Sequence, residues 1–165
     1  MVRTLAPLFG SRPAWIVLGL LAGVMAAGSA PAQAPAQQAQ AVSSARMYSN
    51  DGAVTLNFIK PDKTADFEAA LAKLKDALQK SNKPERKQQA AGWKIFKSPD
   101  PAGPNVLYIF IINPSVKGAD YQVSNIIAEG FGTGPEINDL LKKYAESYAQ
   151  GINIVNLNLL HDLSK

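Results

Sequence analysis

The 165-residue sequence contains no cysteine and only one histidine. Without cysteine, the chain cannot form disulfides, thiolate nucleophiles or cysteine-ligated zinc sites. The single histidine, His161, lies beside Asp162 five residues from the end, where we expect a solvated tail. One histidine with scattered carboxylates is poor material for a transition-metal site. We therefore expect no metal site and no cofactor, and we assign no catalytic residue.

Residues 1–30 contain no acidic side chain. Arg3 and Arg12 precede an apolar run from Ala14 to Ala27, and small residues at A-x-A spacing follow. This order is typical of a secretory signal peptide. The apolar run is also shorter than the roughly 20 residues of a membrane span.

The domain organisation follows from this leader. We predict a signal peptide over residues 1–30, cut between residues 28 and 41, then a disordered Ala/Pro/Gln-rich segment over 31–46. Residues 47–165 form a single α+β domain in a periplasmic or secreted protein. Because the leader has no lipobox cysteine, we expect no stable membrane anchor.

The charge balance argues against a nucleic-acid partner. The whole chain has 17 basic and 13 acidic residues, a net charge of +4. Removal of Arg3 and Arg12 with the leader leaves 15 basic residues and a net charge of +2. A charge this close to neutral does not provide the electrostatic footprint that nucleic-acid binding needs.

Hydrophobic periodicity predicts four strands and two main helical regions. One stripe at helical spacing runs from Phe67 to Leu78. A second runs from Tyr121 to Ile127, breaks near residues 130–134 (GFGTG) and resumes from Ile137 to Tyr148. Residues 82–90 are read as a polar crossover with at most one helical turn begun at Pro84. The predicted strands are Val54 to Lys60, Gly92 to Lys97, Val106 to Ile112 and Ile152 to Leu160.

The order β-α-β-β-α-β predicts a ferredoxin-like domain, with a four-stranded antiparallel sheet and helices on one face. The third strand is apolar on both faces, so we place it and the first strand at the centre. The alternation then predicts an open face that carries polar side chains beside apolar ones. A half-apolar open face of this size needs a partner or a ligand. The residues expected on it are Thr55, Asn57, Ile59, Asn156 and Asn158.

Across residues 53–160, the element order and the two-sided apolar third strand resemble the dimeric α/β-barrel superfamily. The runs KPDKTADFE (60–68) and RKQQAAGWKIFK (86–97) are similar to exported bacterial proteins with no assigned activity. The resemblance implies a homodimer in which two protomers pair sheet against sheet. Members include cofactor-free monooxygenases, haem-handling enzymes and small stress-responsive proteins, so the fold leaves the activity open. No catalytic residue carries over.

Five side chains could provide polar contacts in a cavity between two such sheets, where a small apolar ligand would bind. The alternative interpretation is that the asparagines pair across a dimer interface or face water, and that the aromatic residues belong to the core or interface. The candidate ligand-binding residues are Asn57, Trp93, Tyr108, Asn156 and Asn158.

Three functions are compatible with these patterns. The first is a homodimerising or small-ligand-binding module that uses the open sheet face. The second is an oxygenase-like enzyme, either cofactor-independent or haem-dependent. The third is an adaptor that binds an acidic partner or lipid headgroups through a basic loop. That loop contains Lys80, Lys83, Arg86 and Lys87.

Overall fold

The structure is a computed structural model that describes residues 44–164. The predicted signal peptide, its cleavage point and most of the predicted disordered segment lie outside the described residues. Within the described part, no helix is both long enough and apolar enough to cross a membrane.

Four strands form one antiparallel sheet in the order β2-β3-β1-β4, so β1 and β3 are central. This topology confirms the ferredoxin-like prediction. The strands are β1 (Gly52–Ile59), β2 (Trp93–Lys97), β3 (Val106–Ile112) and β4 (Asn153–Leu157). The helices are α1 (Thr64–Lys80), α2 (Pro84–Gly92), α3 (Val123–Phe131) and α4 (Pro135–Ser147), with a short 3-10 turn at Pro61–Lys63.

The predicted break in the second helical region is confirmed. Gly132 ends α3 with a φ of +79°, a left-handed conformation that strains any residue with a Cβ atom. Its N–H donates to the carbonyl of Ala128 at 2.8 Å. Pro135 then starts α4, since its fixed φ and missing N–H suit the first turn of a helix.

Helix α2 is longer than the single turn that the sequence suggested. It spans nine residues, and Arg86 and Gln89 are both buried on its inner side. A buried arginine requires partners, and those partners lie far away in sequence. Because those partners are not visible in the local sequence, the polar composition of residues 82–90 predicted a solvated loop.

The hydrophobic core lies between the sheet and helices α1, α3 and α4. Phe67 of α1 is fully buried at its centre, and its ring centroid lies 4.7 Å from that of Tyr108 and 5.4 Å from that of Tyr144. A smaller cluster beside it joins the sheet to the segment before β1 and to the loop after β3. That cluster contains Tyr48, Ala53, Ile112, Ala119 and Tyr121.

The two faces of the sheet are the reverse of the prediction. Thr55, Asn57 and Ile59 are buried under the helices, whereas the alternate side chains of β1 point to the other side. Partners in an antiparallel pair share a face, so the register extends this assignment to all four strands. The helix-covered side is called the covered face below, and the other side the open face. Polar β1 residues thus occupy the covered face.

Candidate functional site

The open face is almost entirely apolar. Its polar members are Lys94 on β2 and Asn153 on β4, both on edge strands. Strand pairing places Leu56 opposite Ile109 at its centre. The apolar members are Val54, Leu56, Phe58, Phe96, Leu107, Ile109, Ile111, Val155 and Leu157.

Exposure on the open face rises from the central strands to the edge strands. The side chains of β1 and β3 on this face are half-buried, because each shields its neighbours. On the edges, Phe96 is 49% exposed and Val155 is 50% exposed. The main helices of the described part pack on the covered face. A second hydrophobic surface therefore faces outward.

The flat area of the open face is roughly half of what one partner buries in a typical protein interface, about 800 Å². Strands of five to eight residues, at about 3.3 Å per residue and about 4.8 Å apart, give roughly 400 Å² of flat area. The surface continues beyond β4, because Leu157 shares a pocket with Leu159, Leu160 and Leu163. These three leucines are among the most exposed large apolar residues described. Exposed apolar patches of this extent mark interaction surfaces.

Asn57, a predicted ligand contact, lies on the covered face and is only 1% exposed. Its Nδ2 donates to Thr55 Oγ1 and to the carbonyl of Tyr108, both at 3.2 Å. Its Oδ1 accepts from the Tyr148 hydroxyl at 3.2 Å. The amide is thus held by the protein itself, as a buried polar group should be.

A pair of tyrosines at the end of α4 extends this buried polar chain. The hydroxyl oxygens of Tyr144 and Tyr148 lie 2.6 Å apart. Burial raises the pKa of Tyr144 to about 12 and also raises the pKa of Tyr148. Both hydroxyls therefore stay protonated near neutral pH and serve as hydrogen-bond donors.

Tyr108, another predicted contact, also lies on the covered face and is 2% exposed. Its hydroxyl donates to Glu68 Oε1 at 2.5 Å, and the Lys97 ammonium reaches the same oxygen at 2.9 Å. These hydrogen bonds lower the pKa of Glu68. Burial, followed by the hydrogen bond to Glu68, raises the pKa of Tyr108. These three side chains connect α1 to strands β2 and β3.

Asn156 and Asn158 are not brought together with Asn57. Asn156 pairs with Ala53 on the covered side of edge strand β4, where it is exposed. Asn158 lies beyond the strand and accepts a hydrogen bond from Asn50 Nδ2 at 2.8 Å. His161 is exposed in the following segment, as the sequence indicated.

Trp93 is half-buried on the covered side of β2. Its ring meets those of Phe110 and Tyr121 edge to face, with centroids 5.9 Å and 5.3 Å away. It also lines a groove of about 420 Å³ between α1 and β2. The indole N–H is buried and has no hydrogen-bond partner among the described residues.

The predicted basic loop does not form one charged surface. Arg86 is 5% exposed and donates to Glu129, to Gln89 Oε1 at 2.6 Å and to the Asp120 carbonyl at 2.7 Å. Lys83 also pairs with Glu129, at 3.0 Å. These hydrogen bonds, those from Arg86 first, lower the pKa of Glu129 to about 2. The cluster joins α2 to α3, so Arg86 is not available to an adaptor surface.

No cluster of three or more potential metal-ligating His, Cys, Asp or Glu side chains occurs within residues 44–164. The sheet order, the two-sided β3 and the helical layer define the class of this protein as a ferredoxin-like α+β domain.

Comparison with known proteins does not assign a family or an activity to this ferredoxin-like domain. No protein-family model matches the chain, and no curated protein matches it at a significant level. A solved structure from Caulobacter crescentus CB15, described as a candidate antibiotic biosynthesis monooxygenase, is similar at 17% sequence identity. The similarity covers 67% of this chain and 89% of that chain, with a TM-score of 0.39. A likeness at this level transfers no activity.

Proposed function

We propose that this chain is an exported protein whose ferredoxin-like domain forms a homodimer through the open face of its sheet. The observation that carries the proposal is the continuous apolar surface of β1, β3 and the two edge strands. Leaving such a surface in water costs free energy in proportion to its apolar area. A second copy removes that cost on both protomers at once.

A second copy suits this surface, because the centre of the open face carries no charge that would meet its own copy. A two-fold interface brings the same patch of both subunits together, so any charge within it meets its own copy or a neighbour's. The central strands offer only apolar side chains here, and the nearest charge, on Lys94, lies on edge strand β2. Two copies can therefore meet without burying like charges at the centre.

The available area is also in the range that a dimer uses. Stable interfaces bury about 800 Å² of accessible surface per partner. The open face supplies roughly half of this as flat area alone. Side-chain relief and the adjoining leucines at positions 159, 160 and 163 add to it.

A small apolar ligand held between two such sheets would touch apolar side chains rather than the asparagines first considered. Leu56, Phe58 and Ile109 line the centre of the open face. Asn57 and Tyr108 lie on the other side of the sheet and are bonded within the protein. We therefore propose a dimer whose inner surface selects ligands by shape and hydrophobicity.

Two neighbouring residues of β4 provide a matched test. Val155 lies on the open face and is 50% exposed, whereas Ile154 lies on the covered side and is 44% exposed. We expect Val155→Asp to shift sedimentation toward the monomer and Ile154→Asp to leave the dimer intact. Equal behaviour of the two variants, or a wild-type monomer, would overturn the proposal.

A separate experiment tests export, by locating the N-terminus of the isolated protein. The leader predicts that protein recovered from the cell envelope or the medium starts between residues 29 and 42. Intact-mass measurement on protein from its native host gives the new N-terminus. An unprocessed chain retained in the cytoplasm would contradict export and leave the dimer untouched.

A further inference from the structure

The groove between α1 and β2 lies on the opposite side of the sheet from the open face. Its floor and walls are apolar, with Leu74 and Leu78 from α1 and Trp93 and Ile95 from β2. The volume of about 420 Å³ falls in the range of small-molecule sites. Ile95, in its wall, is 37% exposed, so the helices leave this part of edge strand β2 uncovered.

The rim of the groove carries one charge, on Lys75. This lysine is exposed and forms no ion pair or hydrogen bond with any described residue. Of the other lysines on α1 and β2, Lys80 pairs with Asp76 and Lys97 with Glu68. Lys73 lies over the Phe131 ring, and Lys94 lies on the open face. The groove thus combines an apolar body with a single unpaired ammonium at its mouth.

Trp93, which lines the groove, also carries a hydrogen-bond donor without a partner. The Trp93 indole N–H is the one buried side-chain donor in residues 44–164 that lacks a partner. A buried donor without an acceptor is unfavourable. Gln79, also at the rim, makes no hydrogen bond with a described residue.

We propose that the α1–β2 groove binds an amphipathic monoanion, with its apolar part on Leu74, Leu78 and Trp93 and its carboxylate on Lys75. The apolar lining supplies most of the binding energy, and the single cation selects an anionic over a neutral or cationic head. This site is separate from the proposed dimer surface, so a protomer can bind this ligand in either oligomeric state.

The test uses decanoate as the probe and the tryptophan as the reporter. The sequence has two tryptophans, Trp15 and Trp93, so the full chain with Trp15→Phe reports on the groove alone. We expect a saturable change in Trp93 fluorescence with decanoate and a weaker response to 1-decanol. Calorimetric titration gives the same dissociation constants independently of the fluorophore.

Three variants in this background decide the outcome. Lys75→Gln should weaken decanoate binding about fivefold, the upper range for an exposed ion pair, and leave decanol binding unchanged. Ala72→Phe, at the exposed mouth of the groove, should weaken both at least tenfold. Lys87→Gln, on the exposed side of α2, is the matched control and should change neither.

Several results would overturn the proposal. The absence of a saturable change with decanoate would contradict binding at this groove. Unchanged binding in Ala72→Phe would place the ligand elsewhere. A concentration-dependent Trp93 shift without any ligand would show that a second copy fills the groove instead. If Lys87→Gln weakened decanoate binding as much as Lys75→Gln, the effect would come from the net charge of the protein and not from a contact at Lys75.

Discussion

The two faces of the sheet are built on opposite principles. The covered face buries polar side chains, Thr55 and Asn57, and supplies each with hydrogen bonds from neighbouring residues. The open face places Val54, Leu56 and Phe58 outward. The difference shows that burial in the protomer and hydrophobicity are separate properties in this protein. The more apolar face is the one without a helical layer, and the proposed dimer rests on this observation.

The largest expected effect comes from placing a charge at the centre of the open face. In Ile109→Asp, a two-fold interface buries two carboxylates without partners, and an uncompensated buried charge costs roughly 3–5 kcal/mol. We expect dimerisation at least a hundredfold weaker, measured by sedimentation equilibrium. Circular dichroism should show a folded monomer. An unchanged dissociation constant would show that the open face is not the dimer interface.

On the covered side, the sharpest test is removal of the Arg86 side-chain donors. Arg86→Met leaves Glu129, Gln89 and the Asp120 carbonyl without their common partner. We expect a loss of about 3 kcal/mol in the free energy of unfolding, at the low end for buried pairs. Lys87→Met is the exposed control and should change it by less than about 0.5 kcal/mol. Urea titration compares them; equal effects would contradict a structural role for Arg86.

A smaller effect should distinguish Tyr144 from Tyr148. The Tyr148 hydroxyl joins Asn57 and Tyr144, whereas the Tyr144 hydroxyl contacts Tyr148 alone. Tyr148→Phe therefore leaves more groups unsatisfied, and we expect it to cost about 2 kcal/mol against about 1 kcal/mol for Tyr144→Phe. Thermal unfolding ranks the two variants. The reverse order would show that the polar chain under the sheet is not organised through Tyr148.

The smallest effect is the pH dependence carried by Glu129. Its pKa falls from 4.5 to about 2 on folding, because the carboxylate accepts from Arg86 and Lys83. Its stabilisation is therefore complete above pH 4.5 and is lost as pH drops toward 2. Since Glu129 is about one-third exposed, we expect about 1 kcal/mol rather than the full shift. Glu129→Gln should flatten the stability curve in this window, and an unaltered curve would contradict the assignment.

The sequence predicted the element order and the central strands, because hydrophobic period and turn residues are local properties. Val106 to Ile112 was predicted with its observed bounds, and the break near Gly132 was anticipated. The faces were assigned the wrong way round. In β1 the period of two separates Val54, Leu56 and Phe58 from Thr55 and Asn57, yet which set lies inside depends on where the helices pack.

Arg86 was missed for a related reason. A basic residue in a polar run normally indicates solvent exposure, and its partners Asp120 and Glu129 lie 34 and 43 residues away. Pro84 at the start of α2 was the only local sign of that helix. The ligand roles first considered for Asn57, Trp93, Tyr108, Asn156 and Asn158 stay predictions. Of these, only Trp93 lines the α1–β2 groove.

The most direct test of the account is the mass of the wild-type protein in solution across a dilution series. Sedimentation equilibrium at micromolar and submicromolar concentration should give twice the mass of one chain, with dissociation only on further dilution. A single-chain mass at every concentration, from protein whose far-ultraviolet spectrum shows the folded domain, would contradict the claim that the open face is a dimer interface.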